Sequence, residues 1–298
     1  MGRLGGRWYQ RHVAALFLLP ASLLYLLYVL APIPLSFYYS LFRWDGLTAA
    51  RFVGAGNWAE LARDAIFWKS LGNNLKLVAL SVLIQLPLGL GLALLTTQRG
   101  RTRKWAQGAL FVPMMLSSVA IGILWKYIYD PNFGLLNGLL EAVGLPGLRR
   151  AWLGEPATAL YAVIATVSWQ YTPLYMLLFS AGLLGIPSEL YDAAAIDGAT
   201  GFQSFRHVTL PMLRATAATA LTLAVVGSLK YFDLIYVMTE GGPLYSTEVM
   251  ATYMYRKAFH EFRMGYGSTV AVAMFLAAAA AAAAVLASGI GPGRKEGR

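Results

Sequence analysis

The chain has 298 residues, of which 58% are hydrophobic and 13% are charged, and its formal net charge is +10. A soluble domain carries about 25% charged residues, so this composition excludes an ordinary soluble protein and indicates an all-α integral membrane protein. Because the sequence contains no cysteine, disulfides, thiolate metal sites and cysteine nucleophiles are excluded. The three histidines lie in separate segments without ligand spacing, and we expect no metal site.

Six apolar stretches are each long enough to cross about 30 Å of hydrocarbon, which takes roughly 20 helical residues. In chain order they cover residues 13–37, 75–96, 107–128, 157–185, 215–238 and 268–290. Three arginines precede the first stretch, as in a signal peptide, but it runs through two prolines without a small-residue cleavage site. We therefore expect a retained span, and we predict one transmembrane domain of six helices over residues 1–298.

The segments between the spans differ in charge between the two sides of the membrane. An even number of spans puts both termini on one side, whose segments are 1–12, 97–106, 186–214 and 291–298. These segments hold 12 Lys/Arg and 4 Asp/Glu, whereas the opposite segments 42–74, 129–156 and 239–267 hold 9 of each. This asymmetry predicts cytoplasmic N and C termini. It also explains the net positive charge by membrane orientation and anionic lipids, so we expect no nucleic-acid partner.

The outer segment before the second span predicts a short helix at the membrane interface. Asn57 and Glu60 have the spacing of a capping box, with asparagine in place of Ser or Thr. Trp58, Leu61 and Trp68 follow at roughly helical spacing. We expect the tryptophans to lie at the depth of the lipid headgroups.

The cytoplasmic segment 186–214 is unusually long and patterned. Ser188 is a candidate N-cap, and Glu189 lies in the first turn of the helix that follows. Gly198 predicts the end of this helix, since glycine adopts the left-handed conformation at low cost. A second short helix is expected over residues 201–208. Two short helices at an angle, with alanines at their tip, are typical of a docking surface, although an ordinary interfacial connector is the simpler alternative.

The same segment resembles the cytoplasmic EAA motif in permease subunits of ATP-binding-cassette importers. That motif reads Glu-Ala-Ala, three residues, Gly, nine residues, Ile, one residue and Leu-Pro. Here the corresponding residues are Asp192, Ala193, Ala194, Gly198, Val208, Leu210 and Pro211. Asp192 and Val208 depart conservatively from the motif, and the spacing is intact.

Other stretches are similar to the sugar-importer branch related to the maltose and glycerol-3-phosphate systems. They read FVGAGNW from residue 52, FDLIYVMTEGGP from 232, STEVMATYMYRKAF from 246 and MGYGSTVAV from 264. The resemblance implies a multi-pass permease of a prokaryotic inner membrane that pairs with a second, homologous permease. It further implies two ATPase subunits, which bind ATP and Mg²⁺, and an extracytoplasmic substrate-binding protein.

By this resemblance, the segment 186–214 couples the permease to the ATPase. Asp192, Ala193, Ala194 and Gly198 would form the core of the contact. The further residues of the expected coupling surface are Glu189, Asp197, Phe202, Phe205, Leu210 and Pro211. Replacement of Gly198 by Asp is expected to block coupling while leaving the chain in the membrane.

The sequence contains no Gly-x-x-x-x-Gly-Lys-Ser/Thr motif, so we expect no ATP or other cofactor on this chain. Energy would come from a partner or from an ion gradient. An ion-coupled carrier would be expected to carry buried acids in its spans, and Asp233 is the one acid within the six stretches. A membrane enzyme or scaffold is a third alternative, disfavoured because no catalytic set of polar residues is apparent.

Residues for a sugar pathway are predicted in the fourth and fifth spans. Aromatic faces and hydrogen-bonding groups near mid-membrane suit a sugar, and by resemblance these regions correspond to those that contact sugar in the maltose-type permease. The candidates are Gln170, Tyr171, Ser228, Lys230, Tyr231 and Asp233. Lys230 and Asp233 are three residues apart, so on one helix face they would neutralise each other, in a structural ion pair or at the pathway.

Overall fold

The computed structural model describes residues 16–96 and 101–287, and these residues are mostly helical. Two short strands, β1 (Phe42–Arg43) and β2 (Arg51–Phe52), form an antiparallel hairpin. The helices, in chain order, are α1 (Leu16–Tyr39), α2 (Gly56–Arg63), α3 (Ala65–Thr96), α4 (Arg101–Met115), α5 (Ser118–Ile128), α6 (Leu135–Ala142), α7 (Ala159–Leu184), α8 (Ser188–Ile196), α9 (Gly201–Met212), α10 (Arg214–Leu229), α11 (Asp233–Thr239), α12 (Met250–Tyr255) and α13 (Met264–Ala287).

Four of these helices, α1, α3, α7 and α13, are each long and apolar enough to cross a membrane. Two further pairs reach that length only together: α4 with α5, bent by 95°, and α9 with α10, bent by 65°. The described residues therefore contain four candidate spans, or six if each bent pair is one span. Residues 1–15, 97–100 and 288–298 of the expected segments, which include both termini, lie outside the described residues.

The prediction of one continuous helix over residues 107–128 is wrong. Pro113 lies in the last turn of α4, where it has no backbone N–H to donate and favours an early end. Ser117 then caps α5, because its hydroxyl accepts a hydrogen bond from the Val119 amide at 3.3 Å. A proline followed by a capping serine is a sequence signal for this break.

The fifth expected span, residues 215–238, is also interrupted. The helix α10 ends at Leu229, and α11 begins at Asp233 after three non-helical residues. Long apolar runs lie on both sides of the break, so hydropathy averaged over the stretch predicted a single helix. Because α10 stops at Leu229, the carbonyl groups in its last turn accept hydrogen bonds from a side chain of α3 instead of from a following helical turn.

The second span begins ten residues before the predicted residue 75, at Ala65, so Trp68 belongs to it. The predicted separate short helix is α2, but its predicted cap is wrong. Asn57 lies inside α2 and is buried, and its amide donates to the carbonyls of Ser40 and Phe42, both at 2.8 Å. Asn57 therefore ties α2 to the segment before it instead of capping the helix.

One compact unit comprises the described residues up to 63 together with residues 254–273. Arg263 donates to both carboxylate oxygens of Glu60 at 2.7 Å, which joins α2 to the segment before α13. In the β1–β2 turn, Asp45 accepts hydrogen bonds from the backbone amides of Thr48 and Leu47. These two bonds, Thr48 first, lower the pKa of Asp45 below its ordinary value.

The second unit comprises residues 64–253 and the described residues from 274 onward. Its centre is the packing of α3 against α7. At Gly89 the two helices approach so closely that a Cβ atom would lie 2.7 Å from Cβ of Tyr175. Glycine is therefore required at this position by space and not by backbone conformation.

Two groups of buried side chains fill this second unit. One group gathers α3, α5, α7 and α11 around Leu77, Ile121, Val163 and Leu234. The other gathers α3, α7 and the start of α10 around Ala93, Met176 and Leu213. Most side chains of α1 are exposed, as expected for a helix that faces lipid.

Candidate functional site

The segment 186–214 forms the two short helices that the sequence predicted. The helix α8 covers Ser188–Ile196 and carries Glu189 in its first turn, where a carboxylate interacts favourably with the helix dipole. Ser188 is the first helical residue and not the predicted N-cap. Pro187 occupies the capping position in an extended conformation, with no side-chain hydrogen bond to the helix.

Gly198 ends this helix as the sequence predicted. Its φ is +75°, in the left-handed region that favours glycine. The Gly198 amide donates to Ala195 at 3.1 Å, and the Ala199 amide donates to Ala194 at 2.9 Å. This pair of bonds is a Schellman motif, which satisfies two of the last helical carbonyl groups. A Cβ at Gly198 would meet no atom within 4 Å, so the requirement for glycine within this chain is conformational.

The second helix of the segment, α9, is fixed by a capping box that the sequence analysis missed. The hydroxyl of Thr200 accepts from the Gln203 amide at 3.4 Å, and the Gln203 side chain accepts from the Thr200 amide at 2.7 Å. The Thr-x-x-Gln spacing is the signal that would have found it. Two residues therefore separate the Gly198 turn from a capped helix start, and they set the angle of the tip.

The tip of this segment exposes both acidic and apolar side chains. Ile196 is 87% exposed and Phe202 is 70% exposed, which is unusual for large apolar side chains at a turn between polar residues. Exposed with them are Glu189, Asp192, Ala193, Asp197, Gly198, Leu210 and Pro211. Ala194 and Phe205 are half-buried on the inner side. The exposed set offers a partner a small-residue surface with an acidic rim.

A cavity of about 220 Å³ lies between α3, α7 and α10. Three of the predicted pathway residues line it: Tyr171, Ser228 and Tyr231. The Tyr171 and Tyr231 rings stand nearly perpendicular with centroids 5.9 Å apart. The buried Tyr231 hydroxyl has no hydrogen-bond partner among the described residues. This wall of the cavity therefore offers aromatic faces, and the Tyr231 hydroxyl beside Tyr171 is shielded from solvent and would reach a polar solute only after a side-chain movement.

The other three predicted pathway residues lie elsewhere. Gln170 is buried on another face of α7, where its amide donates to Ser118 at 3.3 Å. Lys230 and Asp233 are both exposed, but Lys230 lies in the non-helical break after α10 and Asp233 is the first residue of α11, so they do not share one helix face. No ion pair joins them in the described part of the chain.

The cavity also has wall residues that the sequence analysis did not name. They are Gln85, Val167, Leu174, Tyr175, Leu223, Ala224 and Gly227. Gln85 is 2% exposed and is a polar residue inside an apolar span, which is a signal for function in membrane helices. The remaining residues are apolar or small and carry no signal that distinguishes them from core residues.

A buried asparagine holds the break between α10 and α11. The side-chain amide of Asn74 donates to the carbonyls of Ser228 and Leu229 at 3.1 and 3.3 Å, and its oxygen accepts from the Met250 amide at 2.8 Å. Asn74 therefore caps the end of α10 and the start of α12 together. The non-helical residues between α10 and α11, which include Tyr231, are positioned by this contact.

Comparison with known proteins identifies the family of this chain. The model of the binding-protein-dependent transport system inner membrane component family matches residues 85–294, which include the segment 186–214 and all the residues that line the cavity. This chain belongs to that family. The probable ABC transporter permease protein YurN of Bacillus subtilis is 37% identical to this permease over 265 residues, which cover 88% of the permease and 90% of that protein.

A second relative is the trehalose/maltose transport system permease protein MalF of Thermococcus litoralis. It is 30% identical over 274 residues, which cover 91% of each chain. Among solved structures, a bacterial ABC transporter involved in the import of the acidic polysaccharide alginate contains a chain with the same fold. It superposes with a TM-score of 0.80 at 24% identity, covering 96% of this permease and 97% of that chain. The permease is thus a multi-pass inner-membrane transport component and not an enzyme.

Proposed function

We propose that this permease carries a sugar or sugar-like solute inward across the cytoplasmic membrane by alternating access, driven by a separate ATPase that docks on residues 186–214. The solute would be an oligosaccharide, a polyol or a compound of the glycerol-3-phosphate class. Family membership supports the transport role, and the trehalose/maltose relative supports the sugar class. The observation that carries the coupling role is the exposed, rigidly terminated tip of α8 and α9.

The docking role of the tip is supported by its shape and chemistry. The Gly198 turn and the Thr200 cap define the geometry of the tip without help from a partner. Ile196 and Phe202 nevertheless remain exposed to water, at a cost that burial in a partner would recover. Asp192, Ala193, Ala194 and Gly198 would form the core of the contact. When two ATPases close on nucleotide, movement of the tip would bias the spans between two states.

The route of the solute would pass the cavity beside Tyr171, Ser228 and Tyr231. A broken helix at membrane depth leaves backbone and side-chain polar groups available to a solute, as in other transporters. The ring of Tyr171 and the Tyr231 hydroxyl, which is buried without a hydrogen bond of good geometry, suit a sugar, which has both hydroxyl groups and apolar C–H faces. Lys230 and Asp233, exposed at the same break, would contact the solute or a partner subunit instead of each other.

The expected assembly contains this permease, a second homologous permease, two ATPase subunits and an extracytoplasmic binding protein. The family description, which names binding-protein-dependent transport, supports the last of these partners. ATP and Mg²⁺ would be bound by the ATPase subunits. The N and C termini of the permease would be cytoplasmic, on the same side as residues 186–214.

The proposal is tested by uptake into proteoliposomes that hold the co-purified assembly. Labelled trehalose, maltose, a polyol and glycerol-3-phosphate are supplied with the binding protein, with and without ATP. We expect uptake of at least one of these solutes that requires ATP and persists when a protonophore collapses ion gradients. Uptake without ATP that the protonophore abolishes would identify an ion-coupled carrier and contradict the proposal. Uptake of none of the four solutes would contradict the sugar class.

A further inference from the structure

The helix α8 is weakly attached to the rest of the permease for an element proposed to transmit force. None of its residues is buried, and its two half-buried side chains are Tyr191 and Ala194. It is nine residues long, too short to be stable by itself in water. A rigid connection must therefore come from specific contacts with the following helix.

One hydrogen bond provides such a connection. The hydroxyl groups of Tyr191 and Thr209 lie 3.0 Å apart. In the described residues this is the side-chain hydrogen bond that joins α8 to the chain beyond residue 200. Thr209 is 4% exposed, so water competes poorly for its hydroxyl.

Open space adjoins this bond. An open cavity of about 470 Å³ lies beside it, lined by Leu94, Leu183, Gly201, Ser204 and Phe205 together with the two bonded residues. Because an open cavity transmits no push or pull between its walls, the Tyr191–Thr209 bond adds a direct side-chain link between α8 and α9, in addition to the Gly198 turn and the Thr200 cap.

Thr209 connects directly to the bend where the fifth span begins. Its carbonyl accepts from the Leu213 amide at 3.0 Å, and Leu213 is 2% exposed. Leu213 also packs tightly on α7: a Cβ at Gly182 would lie 2.8 Å from Cδ2 of Leu213. A displacement of Thr209 therefore reaches the 65° bend between α9 and α10, and α7 with it.

We propose that the Tyr191–Thr209 hydrogen bond is the strut that converts movement of α8 into movement of the fifth span. Tyr191 is then a positioning residue for energy coupling. Its hydroxyl is directed inward, away from the exposed docking surface. This inference rests on the proposed function of residues 186–214. It separates docking, which the exposed residues perform, from transmission, which the Tyr191 hydroxyl performs.

The test uses the whole assembly in proteoliposomes and measures both solute taken up and ATP hydrolysed. Tyr191→Phe and Thr209→Val each remove one hydroxyl with little change of shape, and Thr209→Ser keeps the hydroxyl. We expect the first two variants to retain the ATPase but to transport about three- to tenfold less solute per ATP, the range that loss of one hydrogen bond allows. Thr209→Ser should couple like the wild type.

A double variant shows whether the two residues act through one bond. Tyr191→Phe with Thr209→Val should lose no more coupling than either single variant, because the second substitution removes nothing further. The control is Thr219→Val, which removes a hydroxyl of α10 that bonds only within its own helix, to the Ala215 carbonyl. It should leave the ratio of solute to ATP unchanged.

Three results would contradict the proposed role of the Tyr191–Thr209 hydrogen bond in coupling. They are a wild-type ratio of solute to ATP in Tyr191→Phe, fully additive losses in the double variant, or loss of the ATPase itself from the Tyr191→Phe assembly, which would make Tyr191 a docking residue. These results differ from failure of the proposed function. Wild-type proteoliposomes without ATP-dependent uptake would overturn both.

Discussion

Asn74 donates its side-chain amide to the carbonyl of Ser228 at 3.1 Å, across 154 positions of the sequence. The same side chain binds Leu229 and accepts from the Met250 amide. One fully buried residue of α3 thus closes one helix, opens another and holds the interrupted fifth span beside the cavity.

Replacement of Asn74 by Ala should therefore be strongly destabilising. It leaves two carbonyls and one amide without their partner in a buried site, at about 1–3 kcal/mol for each unsatisfied group. We expect a total loss of about 3–5 kcal/mol, measured by denaturant unfolding in detergent. Asn132→Ala, which truncates an exposed asparagine, is the matched control and should change stability by less than about 0.5 kcal/mol. Equal stability of the two variants would contradict this role of Asn74.

The close contact between α3 and α7 predicts a contrast between two glycines of one helix. A Cβ at Gly89 would lie 2.7 Å from Cβ of Tyr175 and 3.0 Å from the backbone nitrogen of Met176, whereas a Cβ at Gly91 would meet nothing within 4 Å. Gly89→Ala should cost about 1–3 kcal/mol by overpacking. Gly91→Ala should be neutral or slightly stabilising, because alanine favours the helix. Thermal unfolding of both variants in the same detergent provides the measurement, and a destabilised Gly91→Ala would refute the contrast.

The turn at Gly198 predicts which substitutions at this position reduce solute uptake and which preserve it. Asn tolerates a positive φ better than a β-branched residue does. Gly198→Asn should therefore keep the helix end, whereas Gly198→Val should distort it at a cost of about 1–3 kcal/mol. Without added charge, uptake should survive in Gly198→Asn and fall in Gly198→Val, whereas Gly198→Asp also adds a carboxylate to a surface that already exposes Asp192 and Asp197. Equal loss in Gly198→Asn and Gly198→Val would show instead that the partner needs the space.

The free hydroxyl of Tyr231 predicts an effect on solute affinity. Tyr231→Phe retains the ring against Tyr171 but removes the group that would bind the solute. We expect the KM for uptake to rise about three- to tenfold, by the value of one hydrogen bond. The control is Tyr161→Phe on α7, whose side chain is exposed outside the cavity. An unchanged KM in Tyr231→Phe would remove this residue from the proposed pathway.

The absence of cysteine allows a direct test of orientation. Ala195 in α8 and Ala142 in α6 are both exposed alanines. With a membrane-impermeant maleimide on intact spheroplasts, Ala142→Cys should react at once. Ala195→Cys should react only after permeabilisation. The reverse pattern would contradict cytoplasmic termini.

The features that the sequence predicted correctly depend on local rules. Gly198 ends α8 because only a few residue types accept its positive φ, and Glu189 lies in the first turn for electrostatic reasons. The apolar stretches identified a membrane protein because any helix that crosses the hydrocarbon core needs about 20 predominantly apolar residues. The break after Pro113 and the cap at Thr200 followed equally local rules but were overlooked.

The features that the sequence could not predict depend on distant contacts. No glycine or proline marks the break at residues 230–232, because its caps come from Asn74 in another helix. Asn57 has the spacing of a cap but binds Ser40 and Phe42 instead, because tertiary contacts outweigh a local preference. The cavity wall likewise combines residues from three helices whose register no single stretch reveals.

The most direct test of the account is purification of the tagged permease from its own host in mild detergent, with the co-purifying proteins identified by mass spectrometry. Wild type is compared with Gly198→Asp and with the control Gly147→Asp, which places the same charge at an exposed glycine with open space around it. We predict an ATPase and a second permease with wild type and with Gly147→Asp, and loss of the ATPase with Gly198→Asp. An ATPase retained by Gly198→Asp, or a wild-type permease that purifies alone, would contradict the coupling role of residues 186–214.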